Sequence, residues 1–284
     1  MNLYQNCISK KIYLEQDVYP CYDEPVYKIE AQKLADIYAT DMIPDIRLKD
    51  TEENNKPKIA IILAQDKHQK REEKDFTIHP AYVRAVTEAG GYPIFFAYDK
   101  VKEVLEWHKP QGILLVGGFF NSPQKWYIDK EEQDIDVRGQ AYLDALTYAK
   151  QQCLPLLGIC AGMQMLGGFC GAKIKKGFKQ HLVGGDKVAH KISILPESKL
   201  AKIAQILELN VNSHHSEALM ADKLGDCIMT SQSEDGLVEA IELKNSWNDF
   251  VIGVQWHPER SFSGSEDFRK KLFNAFVDAC GRFI

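Results

Sequence analysis

The 284-residue chain has only seven cysteines, an odd number, and none falls into a CxxC pair or zinc-type histidine spacing. That scarcity excludes a disulfide framework and points to free thiols in a reducing compartment. Long apolar runs are missing too. The longest, around Ile113–Val116 and Leu154–Ile159, fall far short of the roughly 18 residues that span a bilayer. Tyr4, Gln5 and Asn6 stand where a secretory segment would be apolar. A cytoplasmic protein with no membrane partner is therefore expected. Basic excess is absent as well: the formal net charge is -5 and no lysine- or arginine-rich block occurs, which weighs against a nucleic-acid partner. Gly117-Gly118 and Gly167-Gly168 lack GxGxxG or Walker spacing, and there is no HExxH. His214 and His215 are adjacent, a poor arrangement for ligating one ion. Neither a cofactor nor a metal is expected.

What is present is ordinary for a soluble globule, with 45% apolar and 26% charged residues. This length suits one large domain with an extension, burying about 75% of the unfolded surface and needing no staples. The boundary falls near residue 56. Six of the twelve tyrosines (Tyr4, Tyr13, Tyr19, Tyr22, Tyr27 and Tyr38) precede it, too many for an ordinary disordered tail. Asp50–Lys58 is charged, carries a proline and reads as a linker. Residues 1–56 are thus an extension expected to pack on the domain of residues 57–284. Docking a protein partner or covering the active site are its other candidate roles.

From Lys58 the pattern turns regular. Lys58–Ala64 is almost continuously apolar, as in a strand buried on both faces. A helix is expected from Pro80 to Gly90-Gly91, a strand over Pro93–Tyr98, a helix over Lys100–Lys109 and a buried strand at Ile113–Val116. A long helix over Glu131–Gln152 leads into the strand Leu154–Ile159. Such alternation implies an α/β fold whose parallel sheet is covered on both sides. Short strands follow around His190–Leu195, Cys227–Ser231, Leu237–Leu243 and Phe250–Trp256. The last helix opens with Ser263 and Glu266 at capping-box spacing and buries Phe268, Leu272, Phe276 and Ala279.

Two places carry chemistry. Leu154–Ile159 runs directly into Cys160, Ala161 and Gly162 and then into a helix-compatible stretch. A nucleophile on such a strand-to-helix turn needs small neighbours, here Gly158, Ala161 and Gly162. At a helix N-terminus a thiol is drawn toward thiolate, and the Ala161 amide can face a developing oxyanion. The other six cysteines read as structural. Near the end, Phe250–Trp256 runs into His257-Pro258-Glu259. Residues two apart in an extended segment share a face, so Glu259 can orient the His257 imidazole and stabilise its cation. Cys160, His257 and Glu259 form the logic of an activated nucleophile.

Gly158–Gln164 (GICAGMQ) together with Gly253–Glu259 (GVQWHPE) resembles the class I glutamine amidotransferase family, from about Lys58 to the C-terminus. Ala189–Leu200, Val211–His215 and Asp235–Glu242 make the free-standing γ-glutamyl hydrolase branch, the C26 peptidases, the nearest likeness. The resemblance implies a three-layer sandwich with a mainly parallel central sheet, the flavodoxin-like amidotransferase fold. It implies Cys160 as nucleophile, His257 as general base and acid, and Glu259 as orienting carboxylate. It further implies Gly118 as the second oxyanion amide, Gln164 as a ligand of the substrate amide, and Ser213 and His215 as part of a glutamyl pocket. The implied substrate is a small γ-glutamyl compound cleaved through a glutamyl thioester. A homo-oligomer is among the candidate arrangements. A stand-alone glutaminase feeding ammonia to a synthase, and a non-catalytic binder, are the competing activities. The pattern departs in two places. Phe119 and Phe120 follow the GG turn where an acidic residue is frequent, and Ala161 follows the nucleophile where arginine is frequent. These phenylalanines are expected at the pocket mouth, and a cover from the tyrosine-rich extension is one candidate for burying them.

Overall fold

A computed structural model describes residues 27–29, 56–65, 76–98, 100–129, 134–260 and 265–282. Its first strands are β1 (Tyr27–Ile29), β2 (Lys58–Ile62), β3 (Ala64–Gln65) and β4 (Phe76–Ile78). Helix α1 (Pro80–Glu88), β5 (Tyr92–Phe96), α2 (Val101–His108), β6 (Gly112–Leu115), α3 (Val137–Gln151), β7 (Leu156–Ile159) and α4 (Ala161–Phe169) follow in strict alternation. Short strands then take over: β8 (Ile174–Lys176), β9 (Leu182–Gly184) and β10 (His190–Ile194). Beyond α5 (Lys199–Ala204) come β11 (Glu208–Val211), β12 (Ser213–His214), β13 (Glu217–Leu219), β14 (Cys227–Ser233), β15 (Val238–Leu243) and β16 (Val251–Val254). Helix α6 (Glu266–Gly281) closes the described chain.

Nine strands form the main sheet in the order β11-β10-β14-β15-β16-β7-β6-β2-β5. The half from β16 to β5 is parallel, and the half from β15 to β11 is antiparallel. The parallel half has the doubly wound flavodoxin-like order, in which the strand sequence reverses beside β2. Alternation along β2 shows why its residues are all apolar. Ile59 and Ile61 enter one core with Tyr82 and Val86 of α1 and Phe268, Leu272 and Phe276 of α6. Ala60 and Ile62 enter the opposite core with Leu105 of α2, Tyr142 and Leu146 of α3, and Leu166 of α4. A strand covered on both faces has no polar side to show, which is the physical content of a continuous apolar run.

Some boundaries differ from those the sequence implies. The expected single strand Lys58–Ala64 divides after Ile62, and Ala64–Gln65 joins a separate three-stranded sheet in the order β1-β4-β3. The long helix starts at Val137 rather than Glu131, because Asp136 is its N-cap: Oδ1 accepts from Gly139 N at 2.8 Å. Residues 130–133 lie outside the described residues. The last helix starts behind Ser265, whose side chain makes no capping bond, and Ser263 of the expected capping box also lies outside them. Of the extension, Tyr27–Ile29 pairs antiparallel with Phe76–Ile78, the strand that leads into α1. The rest of residues 1–56, except Lys56, lies outside the described part, as does any covering of the GG loop. Among the described residues no helix is long and apolar enough to cross a membrane.

Phe276 is fully buried and packs on Phe250 with ring centroids 5.4 Å apart, whereas Trp107 on α2 is 68% exposed. Phe276→Ala should therefore cost about 3–5 kcal/mol of stability. Trp107→Ala should stay within about 0.5 kcal/mol of the parent. Denaturant midpoints read both, and equal losses would contradict this assignment of the core.

Candidate active site

Strands β6, β7 and β16 lie side by side, run in one direction and end at the same edge. Beyond them come Gly117-Gly118, Cys160 and His257 respectively. A crevice beyond the carboxyl ends of parallel strands is where open α/β sheets bind ligands.

Cys160 sits between β7 and α4 with φ 53° and ψ -111°. A non-glycine residue at positive φ persists only where its surroundings over-determine it. Here Cys160 N donates to Val254 O at 2.8 Å, and Gln164 N donates to Cys160 O at 3.1 Å. The tight reversal also explains the glycines. A β-carbon on Gly162 would lie 2.1 Å from Leu115 O, so only glycine lets α4 start this close to β6. The buried thiol lies at the helix N-terminus, and its Sγ is 4.0 Å from His214 O.

His257 and Glu259 are both buried, with His257 Nδ1 2.8 Å from Glu259 Oε1. The imidazole and the Cys160 side chain both border Gly117, and the sulfur acts on the ring's protonation. Since Glu259 engages Nδ1, Nε2 is the nitrogen left for the thiol. Burial alone would push the imidazole down, but Glu259 and the Cys160 sulfur outweigh it and raise it to about 9. Burial would raise the Glu259 carboxyl; His257 and Arg260 hold it below its usual range.

The GG turn is braced from three sides. Gly117 N donates to Tyr82 Oη at 3.0 Å. Arg138 Nη2 donates to Gly117 O at 2.9 Å and to Tyr142 Oη at 3.0 Å, and Tyr142 Oη donates to Val116 O at 2.9 Å. Gly117 is also hemmed in, since a β-carbon there would be 2.8 Å from His257 Cε1 and 3.2 Å from Cys160 Cβ. Among the described residues neither Gly118 N nor Ala161 N donates a hydrogen bond. Two amides so left beside a thiol can receive an oxyanion.

Other singled-out residues differ from expectation. Gln164 is buried and its Nε2 donates to Glu217 O at 2.8 Å and Gln255 Oε1 at 3.1 Å, so its amide nitrogen braces the wall behind the thiol. Ser213 and His215, expected in the glutamyl pocket, turn their polar atoms into a second buried cluster around His181 and Glu239. It is their neighbour His214 that reaches the thiol, through its carbonyl. The expected pair at the pocket mouth also separates. Phe119 is 61% exposed and meets His214 edge-on at 6.4 Å, whereas Phe120 stacks on Tyr142 at 4.8 Å beneath the Arg138 guanidinium.

Sequence reasoning missed three residues. Asn212 clamps the His257 backbone, donating from Nδ2 to His257 O at 2.9 Å and accepting His257 N on Oδ1 at 2.8 Å. It belongs to the quoted segment Val211–His215 and was within reach of the resemblance. Tyr82, whose hydroxyl lies 3.5 Å from His257 Nδ1, and Arg138 carry no local signal. Their roles depend on contacts 175 and 21 residues away in the chain.

A flavodoxin-like sheet with a cysteine on a strand-to-helix elbow and a His-x-Glu beyond the adjacent strand defines a class I glutamine amidotransferase-like protein. The sequence profile described as Peptidase C26 matches residues 57–259, and the chain belongs to that family. A Rickettsia prowazekii protein named for its likeness to glutamine amidotransferases is 31% identical, covering 72% of this chain and 89% of its own. The γ-glutamyl-γ-aminobutyrate hydrolase PuuD of Escherichia coli K12 is 26% identical, covering 81% of this chain and 96% of its own. In fold the chain is similar to a solved structure from Thermoplasma acidophilum, described as that of a GMP synthase component. That match has a TM-score of 0.55 and 19% identity, covering 80% of this chain and 96% of that one. Family and relatives together make this a hydrolase of the glutamine amidotransferase type.

The raised His257 has a measurable consequence. Because its pKa rises from 6.5 to about 9 in the fold, its charge interactions stabilise the protein fully below pH 6.5 and fade as pH climbs through 9. The stability difference between the parent and His257→Gln should therefore be flat up to about pH 6.5 and then shrink toward pH 9 and above. Denaturant titrations at a series of pH values read this, and a difference that grows with pH would contradict it.

Proposed function

We infer that this protein hydrolyses a γ-glutamyl amide through a glutamyl thioester. The reading is carried by one observation: Cys160, strained at the end of β7, is buried across Gly117 from an imidazole that Glu259 grips at 2.8 Å. His257 Nε2 takes the Cys160 thiol proton as the sulfur attacks the γ-carbonyl carbon; a C–S bond forms, and the carbonyl π electrons move onto oxygen. The Gly118 and Ala161 amides receive that oxyanion. As it collapses, the C–N bond breaks and the departing amine takes a proton from His257 Nε2. His257 then removes a proton from water, which attacks the thioester; the C–S bond breaks, glutamate leaves and the thiol site is restored. Glu259 keeps the proton on Nδ1 and offsets the imidazolium charge throughout. Gln164, Ser213 and His215 support the pocket through the Glu217 and His214 segment rather than by facing the thiol.

The likeness to a γ-glutamyl-γ-aminobutyrate hydrolase favours an amine leaving group larger than ammonia, such as one that ends in an acid. The exposed Phe119 beside His214 offers an aromatic edge for such a group.

Incubating the purified chain with γ-glutamyl amines and with glutamine, and following free glutamate, tests this. Turnover of the amines with little of glutamine is expected. A glutamine-like electrophile should label Cys160 before any other cysteine, and Cys160→Ser should abolish turnover with the fold intact. His257→Ala should be almost as damaging, since members of one catalytic unit are not additive, and Glu259→Gln less so. If His257→Ala keeps most of the parental rate, another base is at work.

A further inference from the structure

Beside the active site lies a second buried cluster that the reaction does not use. Glu239 of β15 has no solvent exposure. Three histidines from different segments surround its Oε1: His190 Nε2 at 3.1 Å, His215 Nε2 at 3.8 Å and His181 Nδ1 at 4.0 Å. His181 ends the short turn before β9, His190 opens β10, and His215 lies between β12 and β13. Close as they are, these groups are not aligned as hydrogen bonds: both oxygens of Glu239 and the Nε2 atoms of His190 and His215 are buried with no well-aligned hydrogen bond.

The far nitrogens show how the rings are anchored. His215 Nδ1 is 3.0 Å from Glu217 O, and a carbonyl only accepts, so the proton sits on Nδ1. His181 Nε2 is 3.0 Å from the Asp235 carboxylate, which places its proton there. Each ring is thus anchored through its outer nitrogen, and its inner nitrogen, Nδ1 of His181 or Nε2 of His215, stands on the side of the buried Glu239 carboxylate. A histidine fixed through its outer nitrogen by a carboxylate or a backbone carbonyl is also the form in which imidazoles bind metals.

We propose that His181 Nδ1, His215 Nε2 and a Glu239 oxygen bind one divalent ion of the zinc class, with His190 steadying the carboxylate and Asp235 orienting His181. The three donor atoms already lie within 4.8 Å of one another. Ligands held at 2.0–2.1 Å around a tetrahedral zinc are about 3.4 Å apart, so small side-chain rotations complete the site. Two imidazoles and a carboxylate suit zinc, with a fourth position left for water. Ser213 Oγ, 3.2 Å from His181 Nδ1, exchanges that contact for the ion. Bound metal ties the segment from Ser213 to Glu217, and so the pocket wall, to the main sheet. Nothing in this proposal depends on the hydrolytic reading.

The test uses the full chain carrying Cys160→Ser, so that the active-site thiol cannot hold the metal. The protein is stripped with a chelator, titrated with zinc in a calorimeter and analysed for metal content after desalting. One equivalent per chain and a higher Tm with zinc are expected, and cobalt should give the intense visible bands of a tetrahedral site. Adding Glu239→Gln or His181→Gln should weaken binding at least 100-fold, and Asp235→Asn by about 10–100-fold. Asp235 is near the surface, so that third variant keeps the proposal refutable even if a buried change unfolds the chain. Absence of stoichiometric binding overturns the proposal, as does zinc affinity that none of the three substitutions alters. Histidine nitrogen shifts showing doubly protonated rings at His181 or His215 in the stripped protein, with no zinc uptake, would assign the cluster to paired protons instead.

Discussion

Helix α4 begins against the backbone of β6, and the contact between Gly162 and the Leu115 carbonyl sets how close the two can come. With any side chain there, the helix would retreat and the reversal at Cys160 would open. The positive φ of Cys160 is held by the Val254 and Gln164 bonds on either side of it, so β16 and α4 both grip the turn. Because β16 also delivers His257 beyond its end, the bond that fixes Cys160 and the strand that delivers His257 belong to one ladder. The placement of sulfur against imidazole is thus a property of the sheet, and the loops only refine it.

Burying this much charge is costly, and the surroundings show how the cost is offset. Glu259 is fully enclosed but faces His257 at 2.8 Å and Arg260 at 3.8 Å, so the carboxylate lies between two cations when the imidazole is protonated. Buried ion pairs persist only when geometry is good and further hydrogen bonds hold it. Asn212 supplies these at the His257 backbone. Arg138 meets the same requirement with no carboxylate in its hydrogen-bond set: a carbonyl, a phenol and the faces of Phe120 and Tyr142 take up its guanidinium. That arrangement gives a physical reason for Phe120 after the GG turn. A carboxylate at this position would meet Arg138 directly and draw it away from the Gly117 carbonyl.

The alternating elements of residues 58–159 could be read from sequence because each strand is apolar on both faces and each helix is punctuated by proline, glycine or a capping residue. The turn at Cys160 was legible for a local reason, since it needs small neighbours. His257 and Glu259 do meet, but β16 ends at Val254 and they are brought together by a turn in which Arg260 N donates to His257 O at 3.2 Å, not by extended spacing. Where the reading failed, the deciding contact was distant. Asp136 rather than Glu131 opens α3 because Asp136 also accepts Asn121 N at 3.0 Å, which pins the loop entering the helix. His214 and His215 looked like a poor ligand pair, and as neighbours they are one. They diverge because β12 sends one toward Phe119 and the next toward Glu239, so the partners His215 does find come from 34 residues before it and 24 after. No local window contains them.

The two buried centres meet at a single atom. Glu217 O accepts from Gln164 Nε2 at 2.8 Å and from His215 Nδ1 at 3.0 Å, and a carbonyl has two lone pairs to give. Gln164 is one turn into the helix that Cys160 begins; His215 is one residue past the carbonyl facing the sulfur. A shift of the His215 ring therefore acts on the thiol by two short routes, through His214 O and through Gln164 to α4. Closely packed interiors transmit such displacements instead of absorbing them. The cluster around Glu239 therefore helps decide where the wall facing the Cys160 sulfur stands.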